Sequence, residues 1–449
     1  MPKMAFIGAG SIVFARNLVG DVLSYPELQE STLSLMDINR DRLDRTVAAT
    51  EAVIEHNDVA ATIEATTDRE EALDGADYVL NMVHVGGREP FENEIRIPEA
   101  YGVNQAVGDT LGPGGVFRAL RTAPMMLDLA HEMEQLCPDA PLLNYSNPMA
   151  MLCWAVDEAT DIDVYGLCHS VQHTADAISR YASVPRDELD FWVAGINHVA
   201  WVLDAKYDGE SIYPALREAL DNPDIYDQDN VRFEMMKHFG YFPTESSNHM
   251  SEYVPYFRTN EETIDDLIVD EDFEDYFVDW MPTGRYFEHW CEYQQEAREM
   301  DVDDLDPEIT RSEEYGSRII HSMETNTQRR MNLNVRNDTG AISNIGSDAC
   351  VEVPCLVDGQ GIHPCSMGSL PPQLSSIMRS NVDVQRLAVK AVLMHDQTAL
   401  RQAIKLDPLT AAACTLEEID SMVDDLLAAN ADYLPDSLVN SNRAMPTMQ

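Results

Sequence analysis

The first forty residues contain the feature that most restricts the fold of this chain. An apolar run at residues 4–7 leads directly into GAGS, and an amphipathic run, IVFARNLVGDVLS, follows. A second apolar run, STLSLMDIN, occupies residues 31–39. This succession is typical of a strand, a tight glycine turn and a helix, and the second run completes a unit of βαβ size. The sequence therefore predicts a parallel βαβ unit at residues 4–39.

The glycine turn of this unit is suited to binding a dinucleotide. Gly8 and Gly10 fit the first two positions of a GxGxxG pattern, and Val13 stands at the third. Glycines there let the backbone approach a pyrophosphate at the helix N-terminus. An acid at the end of the next strand can bind an adenosine ribose and favours NAD, although the Asn-Arg pair that follows leaves NADP open. The predicted NAD-binding residues are Gly8, Gly10, Ser11 and Asp37, and a tight turn without a ligand is the alternative.

The alternation of strand and helix continues along the chain. Further predicted strands lie at 62–67, 77–87, 140–149, 163–170 and 190–201. The run at 77–87 is almost wholly apolar, as expected of a strand buried on both faces. This order indicates an α/β fold with a Rossmann-type, doubly wound parallel sheet, which binds its ligands at the carboxyl ends of the strands.

Two residues at predicted strand ends form a possible metal site. Cys168 and His198 each end an apolar segment on the same predicted edge of the sheet. A thiolate and an imidazole suit a divalent transition metal, and two protein ligands leave positions open for substrate oxygens. The spacing alone favours the alternative, a buried cysteine and a hydrogen-bonded core histidine, because neither an HExxH motif nor paired cysteines occur.

Two further segments are predicted to face a ligand. The glycine-rich loop GDTLGPGGVFRALRT spans residues 108–122 and follows a strand end, so its amides and Asp109 are predicted to face the cofactor or the substrate. The segment 241–257, YFPTESSNHMSEYVPYF, has no clean period and is predicted to be a loop or loop-rich segment that lines a pocket. A plain turn and a packed aromatic cluster are the respective alternatives.

Charge excludes several classes of partner. The chain has 79 acidic and 30 basic residues, a formal net charge of −49. Such a charge argues against nucleic acid and anionic membranes as partners, and its self-repulsion is tolerable where salt screens it, which predicts a halophilic protein.

The sequence has no run of roughly 18 apolar residues and no signal-like N-terminus, so a cytoplasmic location without a membrane span is predicted.

A set of ordered motifs extends along essentially the whole chain: FIGAGS, LMDI, DTLGPGGVFRALRT, LLNYSNPMAM, GLCHSVQ, AGINH, YFPTESS, SEYVPYF, NVRND, VEVPCLVD and LPPQL. These motifs resemble glycoside hydrolase family 4, the NAD- and metal-dependent glycosidases related in fold to lactate and malate dehydrogenases. The CHS-VQ stretch is most similar to the α-galactosidase branch. The resemblance implies an NAD-binding domain at 1–170 and, at 171–449, an α+β domain that binds metal and substrate and forms a dimer or tetramer.

The resemblance also implies a reaction and the residues that hold its components. Cys168 and His198 would bind the metal, usually manganese, and Asn147 in the NPM motif would contact the sugar beside it. NAD+ would oxidise sugar carbon 3 and so make the proton on carbon 2 acidic; loss of that proton expels the aglycone, water adds, and the hydride returns. NAD would therefore be regenerated in each turnover.

Two proton-transfer residues complete the implied site. Tyr253 in the SEY motif is similar to the catalytic base of the family, and Tyr256 remains an alternative. His169 stands where the phosphoglucosidase branch has an aspartate, and we predict it as the acid that assists the leaving group, because imidazole titrates near neutral pH.

The sequence therefore predicts an α-galactosidase that takes a small-molecule glycoside. α-Glucosidase and α-galacturonidase activities of the same family are alternatives. An NAD-dependent hydroxyacid dehydrogenase on the same sheet is a further rival, and it would consume NAD stoichiometrically. A non-catalytic sugar- or nucleotide-binding protein represents a different class, against which the combined presence of Cys168, His198, Asn147 and Tyr253 argues.

Overall fold

A computed structural model describes residues 1–268 and 281–440, within which one mixed sheet of twelve strands extends through the protein. The strands are β1 (Lys3–Ile7), β2 (Thr32–Met36), β3 (Thr62–Thr66), β4 (Tyr78–Asn81), β5 (Leu142–Asn144), β6 (Val164–Gly166), β7 (Asp190–Ile196), β8 (Val199–Tyr207), β9 (Glu210–Ser211), β10 (Arg329–Arg336), β11 (Cys350–Asp358) and β12 (Gly361–Pro364). Their order is β3-β2-β1-β4-β5-β6-β10-β11-β7-β8-β9, and β12 pairs with β11.

The first six strands are parallel and have the order of a dinucleotide-binding sheet, which confirms the predicted α/β fold class. All four residues of β4 are buried, as the apolar run predicts. Each of the strands β3 to β6 is shorter than its apolar run. After β5 and β6 the rest of the run forms a short loop before a helix, and these two loops carry Asn147, Cys168 and His169, which were predicted for the site.

The helices connect the parallel strands and then form much of the second half of the chain. They are α1 (Ile12–Leu23), α2 (Arg40–His56), α3 (Arg69–Leu73), α4 (Arg88–Ala100), α5 (Gly112–Leu136), α6 (Met149–Ala159), α7 (Ser170–Tyr181), α8 (Tyr213–Ala219), α9 (Pro223–Tyr226), α10 (Asn230–Phe239), α11 (Ser247–Tyr253), α12 (Glu261–Asp265), α13 (Arg285–Glu299), α14 (Gly316–Thr325), α15 (Pro372–Met394), α16 (Gln397–Leu406), α17 (Pro408–Ala413), α18 (Leu416–Ala429) and α19 (Asp436–Val439). No helix within 1–268 or 281–440 is both long and apolar enough to span a membrane.

The prediction of one strand at 190–201 is wrong, because this run is a hairpin. β7 and β8 pair antiparallel from Ile196↔Val199 outward, and Asn197 and His198 form the turn between them. His198 has a φ of 62°, which the tight reversal requires. The run is apolar on both sides of the turn and contains neither proline nor glycine at the reversal, so its pattern does not mark the turn.

The antiparallel strands continue the parallel sheet without a break. β10 and β11 pair along eight residues, from Arg329↔Val357 to Arg336↔Cys350, and β10 joins the parallel half through Asn334↔Gly166 of β6. One apolar core follows the sheet, and it includes Phe6 on β1 and Val353 on β11. The carboxyl ends of the parallel strands and the β7–β8 turn are thereby held by one continuous framework.

Candidate active site

The glycine turn has the narrow backbone geometry that its pattern predicts. Gly8 has a φ of 91°, which favours glycine. A Cβ on residue 10 would lie 2.4 Å from Asp37 Oδ2, and the Gly10 amide donates to that oxygen at 2.9 Å. Asp37 Oδ1 accepts from the Asn39 amide at 2.8 Å. Asp37, which directly follows β2, is therefore fixed against the turn, an arrangement that fits a dinucleotide at the start of α1.

A cavity of about 310 Å³ extends from this turn into the second half of the chain. Its lining joins Ser11 at the start of α1, Asp109 from the glycine-rich loop and Asn147 from the segment after β5. Its other lining residues are Phe14, Met82, Val83, His84, Phe91, Arg118, Thr122, Tyr145, Ser146, Tyr286, Trp290 and Tyr293. The predicted cofactor site and the predicted sugar site thus share one concave space, which is where a ligand is expected.

Cys168 and His198, distant in sequence, are adjacent in the structure. Cys168 Sγ lies 3.2 Å from His198 Nε2, and both residues are buried. The hydroxyl of Thr110 donates to Asp109 Oδ1 at 2.7 Å and lies 2.9 Å from His198 Nδ1. Because the single hydroxyl proton is given to Asp109, the hydroxyl accepts from Nδ1–H, and the lone pair of His198 is on Nε2, beside the thiol. This is the tautomer that binds a metal through Nε2.

The structure adds His249, which the sequence analysis missed, to this group. Ligand atoms of Asp109, His198 and His249 all lie within 4.8 Å of one another, and all three residues are buried. His249 is on α11, a helix of seven residues within the segment 241–257, which was predicted to be a loop or loop-rich. The four-residue spacing of His249 and Tyr253 was the signal for this helix. The prolines and serines around the two residues obscured the period.

Electrostatics hold His198 and Asp109 in the states that a cation requires, whereas His249 is held protonated and would have to lose its proton to bind the ion. Burial lowers the pKa of His198 to about 4, which keeps it neutral. Burial also opposes the charge on His249, but the Glu245 carboxylate at 2.5 Å outweighs it and raises that pKa to about 9. For Asp109, the charges of His249 and Arg118 outweigh burial and lower the pKa.

The donor set fits a transition metal. Thiolate, imidazole and carboxylate ligands together suit manganese, iron or zinc better than calcium or magnesium. Burial raises the pKa of the Cys168 thiol, so the thiolate needs the charge of a cation beside it. The roles of Cys168 and His198 as ligands remain predictions, and the geometry points to Asp109 and His249 as candidates for the same ion.

The structure separates the two candidate bases. The Tyr253 side chain is fully buried on α11, and its ring centroid is 6.0 Å from that of His249. Burial raises the pKa of Tyr253 well above 10. Tyr256 is 52% exposed and stacks on Phe239. Tyr253 is therefore the tyrosine beside the candidate metal ligands, and its role as the base stays a prediction.

Asn147 and His169 occupy different positions relative to the cluster. Asn147 Nδ2 donates to Asp109 Oδ2 at 3.0 Å, while its Oδ1 is buried without a partner among the described residues. His169 precedes α7 with a half-exposed ring, and its Nδ1 lies 3.6 Å from Glu314 Oε1. Desolvation opposes its charge, but the Glu314 carboxylate raises the pKa of His169, which favours the protonated form. A protonated, half-exposed ring is compatible with the predicted acid role.

Glu252 connects the two segments that bring the cluster together. Its carboxylate accepts from the amides of Val107 and Gly108, at 2.9 and 3.1 Å, directly before Asp109. Glu252 lies on α11 next to Tyr253. Carboxylate bonds to two backbone amides fix the loop against the helix, so that Asp109 and His249 approach each other.

Glu352 on β11 gives a prediction for stability. Both its carboxylate oxygens are buried without a partner in the described part of the chain, and burial with the Glu245 charge raises its pKa from 4.5 to about 8. The folded state then holds a proton that the unfolded state loses above pH 4.5, so stability falls as pH rises from there to about 8. Because glutamine does not titrate, the stability of Glu352→Gln relative to the native chain should rise by about 1.4 kcal/mol per pH unit in this window.

The measurement is urea unfolding of chelator-treated protein at several pH values between about 5 and 8. The matched control is Glu64→Gln. Glu64 lies on the outer strand β3, and its exposed carboxylate pairs with Lys3 of β1. A constant difference in the free energy of unfolding between Glu352→Gln and the native chain across this range would contradict the prediction.

Two comparisons of sequence relate the chain to known families and proteins. The family model "Family 4 glycosyl hydrolase" matches residues 3–184, and "Family 4 glycosyl hydrolase C-terminal domain" matches 193–410. An α-galactosidase of Bacillus subtilis is 40% identical over 442 residues, which cover 97% of this chain and 100% of that protein. An α-galactosidase of Rhizobium meliloti is 37% identical and covers 96% of this chain and 89% of its own length.

The fold is shared with a solved glycosidase structure. The 6-phospho-β-glucosidase of Thermotoga maritima, determined with manganese, NAD+ and glucose-6-phosphate, has a TM-score of 0.78 and 21% identity, and the match covers 96% of this chain and 99% of that one. At 21% sequence identity, this structural similarity shows a shared fold and is not evidence of a shared substrate. It extends through both the parallel and the antiparallel parts of the sheet.

Proposed function

The chain belongs to family 4 of the glycosyl hydrolases, and from this premise we propose that it hydrolyses α-galactosides with NAD and a divalent metal, manganese first among the candidates. The observation that carries the proposal is the single cavity that joins Ser11 of the dinucleotide turn to Asp109 of the cluster that also contains His198 and His249. The identity with two α-galactosidases supports galactose over other sugars.

The proposed cofactor sites use residues already described. Gly8, Gly10, Ser11 and Asp37 would hold NAD, and Cys168 with His198 would hold the metal, joined by Asp109 and His249. When bound, NAD supplies a hydride acceptor for sugar carbon 3, and the metal supplies a Lewis acid for the oxygens on carbons 2 and 3. The narrow glycine turn and the buried donor set are the observations that support this assignment.

The remaining residues are proposed to orient the sugar and move protons. The buried Oδ1 of Asn147 accepts from a sugar hydroxyl, and Asp109 fixes the amide in the orientation that presents it. Tyr253 removes the proton from carbon 2 through its phenolate oxygen, a form that needs a neighbouring positive charge in this buried place. His169, held protonated by Glu314, donates a proton to the leaving oxygen.

We further propose that residues 1–170 form the NAD-binding domain and that residues 171–449 bind metal and substrate and mediate assembly into a homodimer or homotetramer. Family membership supports a division into two parts; the first family model ends at residue 184 and the second begins at residue 193, beyond the proposed boundary at residue 170. The acidic composition supports a salt-rich cytoplasm as the place of function and argues against nucleic acid as a partner.

The proposed salt requirement gives a second testable prediction. Lowering KCl from about 2 M to about 0.01 M lengthens the Debye screening length from a few Å to roughly 30 Å. Because the net charge is −49, the acidic side chains then repel one another over longer distances and destabilise the folded state. We expect the melting temperature to fall steeply along this series. Circular dichroism melts measure it, and sucrose at equal osmolality is the control because it does not screen charge. A melting temperature independent of KCl would contradict the halophilic proposal.

A panel of p-nitrophenyl glycosides tests the proposed function. The protein is assayed at high KCl with the α-galactoside, α-glucoside and α-galacturonide, each with and without NAD+, Mn2+ and a thiol reductant. We expect hydrolysis of the α-galactoside only when all three are present, with NAD needed in catalytic amounts. NADH accumulating in step with product would support the dehydrogenase alternative, and a preference for another glycoside would reassign the substrate within the family.

A further inference from the structure

Arg118 has donor atoms in the active-site wall that no described residue uses. It lies on α5 and lines the cavity, and its side chain is only 7% exposed. Its Nε and Nη2 atoms have no hydrogen-bond partner within the described residues. A buried charged donor without an acceptor is costly in free energy, so a ligand is the expected source of the acceptor.

Arg121, on the same helix, is an arginine whose Nε, Nη1 and Nη2 atoms all donate to protein acceptors. Its Nε and Nη2 donate to the two oxygens of Glu94 at 2.6 and 3.0 Å, and its Nη1 donates to the Val85 carbonyl. Arg118 Nε is 3.9 Å from Glu94 Oε2, too far for a hydrogen bond. Glu94 therefore binds Arg121, and it does not accept a hydrogen bond from Arg118 Nε or Nη2.

Arg118 is nevertheless held in a defined position. Its guanidinium carbon lies 4.2 Å from the centroid of the Phe91 ring. Its Nη1 is 3.7 Å from Asp109 Oδ2, the oxygen that also accepts from Asn147 Nδ2 at 3.0 Å. Arg118 and Asn147 thus flank one carboxylate oxygen, and both line the same cavity.

The two side chains offer complementary groups to such a sugar. Asn147 Oδ1 is an unpartnered acceptor, and Arg118 Nε and Nη2 are unpartnered donors. A sugar hydroxyl can donate to the first and accept from the second. The planar guanidinium presents donors in a fork that fits two neighbouring oxygens, either adjacent hydroxyls or a carboxylate.

We propose that Arg118 is a substrate-binding residue that donates to oxygen atoms on the glycosyl ring of the substrate. The inference rests on the proposed function, because it takes a glycoside as the ligand. The acceptors are hydroxyls in a galactoside and would include the carboxylate in a galacturonide. Arg118 thereby helps to select the sugar and to set its orientation beside Asn147 and Asp109.

The test compares Arg118→Met and Arg118→Lys with the native chain and with Arg336→Met, a control arginine on β10 that pairs with Asp157 and Glu158. Steady-state kinetics are measured on p-nitrophenyl α-galactoside and α-galacturonide, and calorimetry measures galactose affinity of the NAD-free protein. Arg118→Met is expected to lose about 100-fold in kcat/KM and to bind galactose more weakly, with a smaller loss in Arg118→Lys. Arg336→Met should retain native kinetics.

Chemical rescue separates a binding role from a structural one. Millimolar guanidinium should restore part of the activity to Arg118→Ala, because the ion can occupy the vacated space and donate to the sugar. If Arg118→Met loses kcat/KM on the galacturonide alone, the inference is supported with the substrate carboxylate as the acceptor. The inference is overturned if Arg118→Met keeps the native kinetics and the native galactose affinity. It is also overturned if Arg118→Ala has a lower melting temperature and guanidinium restores none of its activity. Inactivity of the native chain on every glycoside overturns the proposed function and this inference together.

Discussion

Replacement of Cys168 by serine is expected to lower kcat/KM at limiting manganese by more than the roughly 100-fold that is typical when an outer partner of a metal ligand is lost. A serine hydroxyl at this position stays protonated and binds a transition metal poorly, whereas the thiol lies 3.2 Å from His198 Nε2 and can ionise beside a cation. The loss should be partly recovered by excess Mn2+, because His198, Asp109 and His249 remain.

Manganese titrations of activity and calorimetric Mn2+ affinity are the measurements. Cys291→Ser is the matched control, since Cys291 lies on α13, outside the cluster, and should keep native activity and affinity. Native activity with native Mn2+ affinity in Cys168→Ser would reject the ligand role. The thiolate role also predicts that oxidants inactivate the native enzyme and that a thiol reductant protects it.

Replacement of Tyr253 by phenylalanine is expected to reduce turnover of the α-galactoside by about 10²- to 10⁴-fold, the usual contribution of a general base. The side chain is buried beside His249, and phenylalanine, which differs only by the hydroxyl, fills nearly the same space. Affinity for galactose and for Mn2+ should change little, because the phenol acts on a proton rather than holding the sugar.

Tyr256→Phe is the matched control for this prediction. Tyr256 is 52% exposed and stacks on Phe239, so removal of its hydroxyl should leave kcat and KM at native values. The two variants are compared by steady-state kinetics and by exchange of the substrate hydrogen on carbon 2 with solvent. Normal exchange in Tyr253→Phe, or its loss in Tyr256→Phe, would assign the base to another residue.

Local sequence pattern predicted the parts of the fold in which neighbours along the chain determine the structure. The strand, glycine turn and helix at the N-terminus follow from apolar runs and from Gly8 and Gly10, and the structure has them as β1 and α1. The same reasoning placed Cys168 after the end of β6, because parallel strands end on one edge of the sheet. It also placed His198 on that edge, and the structure brings His198 into contact with Cys168, although from a hairpin turn between antiparallel strands.

Features that depend on distant segments escaped the sequence analysis. His249 joins the cluster because Glu252 binds the amides of Val107 and Gly108, a contact between segments far apart in the chain. The turn at His198 lies within an apolar run that conceals it. Burial, which distinguishes Tyr253 from Tyr256, is set by how α11 packs, and the short spacing between the two tyrosines does not reveal it.

The most direct test of the account is the fate of the hydrogen on sugar carbon 2 during hydrolysis. The native enzyme, with catalytic NAD+, Mn2+ and reductant at high KCl, hydrolyses p-nitrophenyl α-galactoside in D2O, and the released galactose is examined by mass spectrometry and NMR. Deuterium at carbon 2, no net formation of NADH and no turnover without NAD+ are the predicted results. Galactose that keeps its original hydrogen at carbon 2, released equally fast without NAD+, would contradict the proposed function.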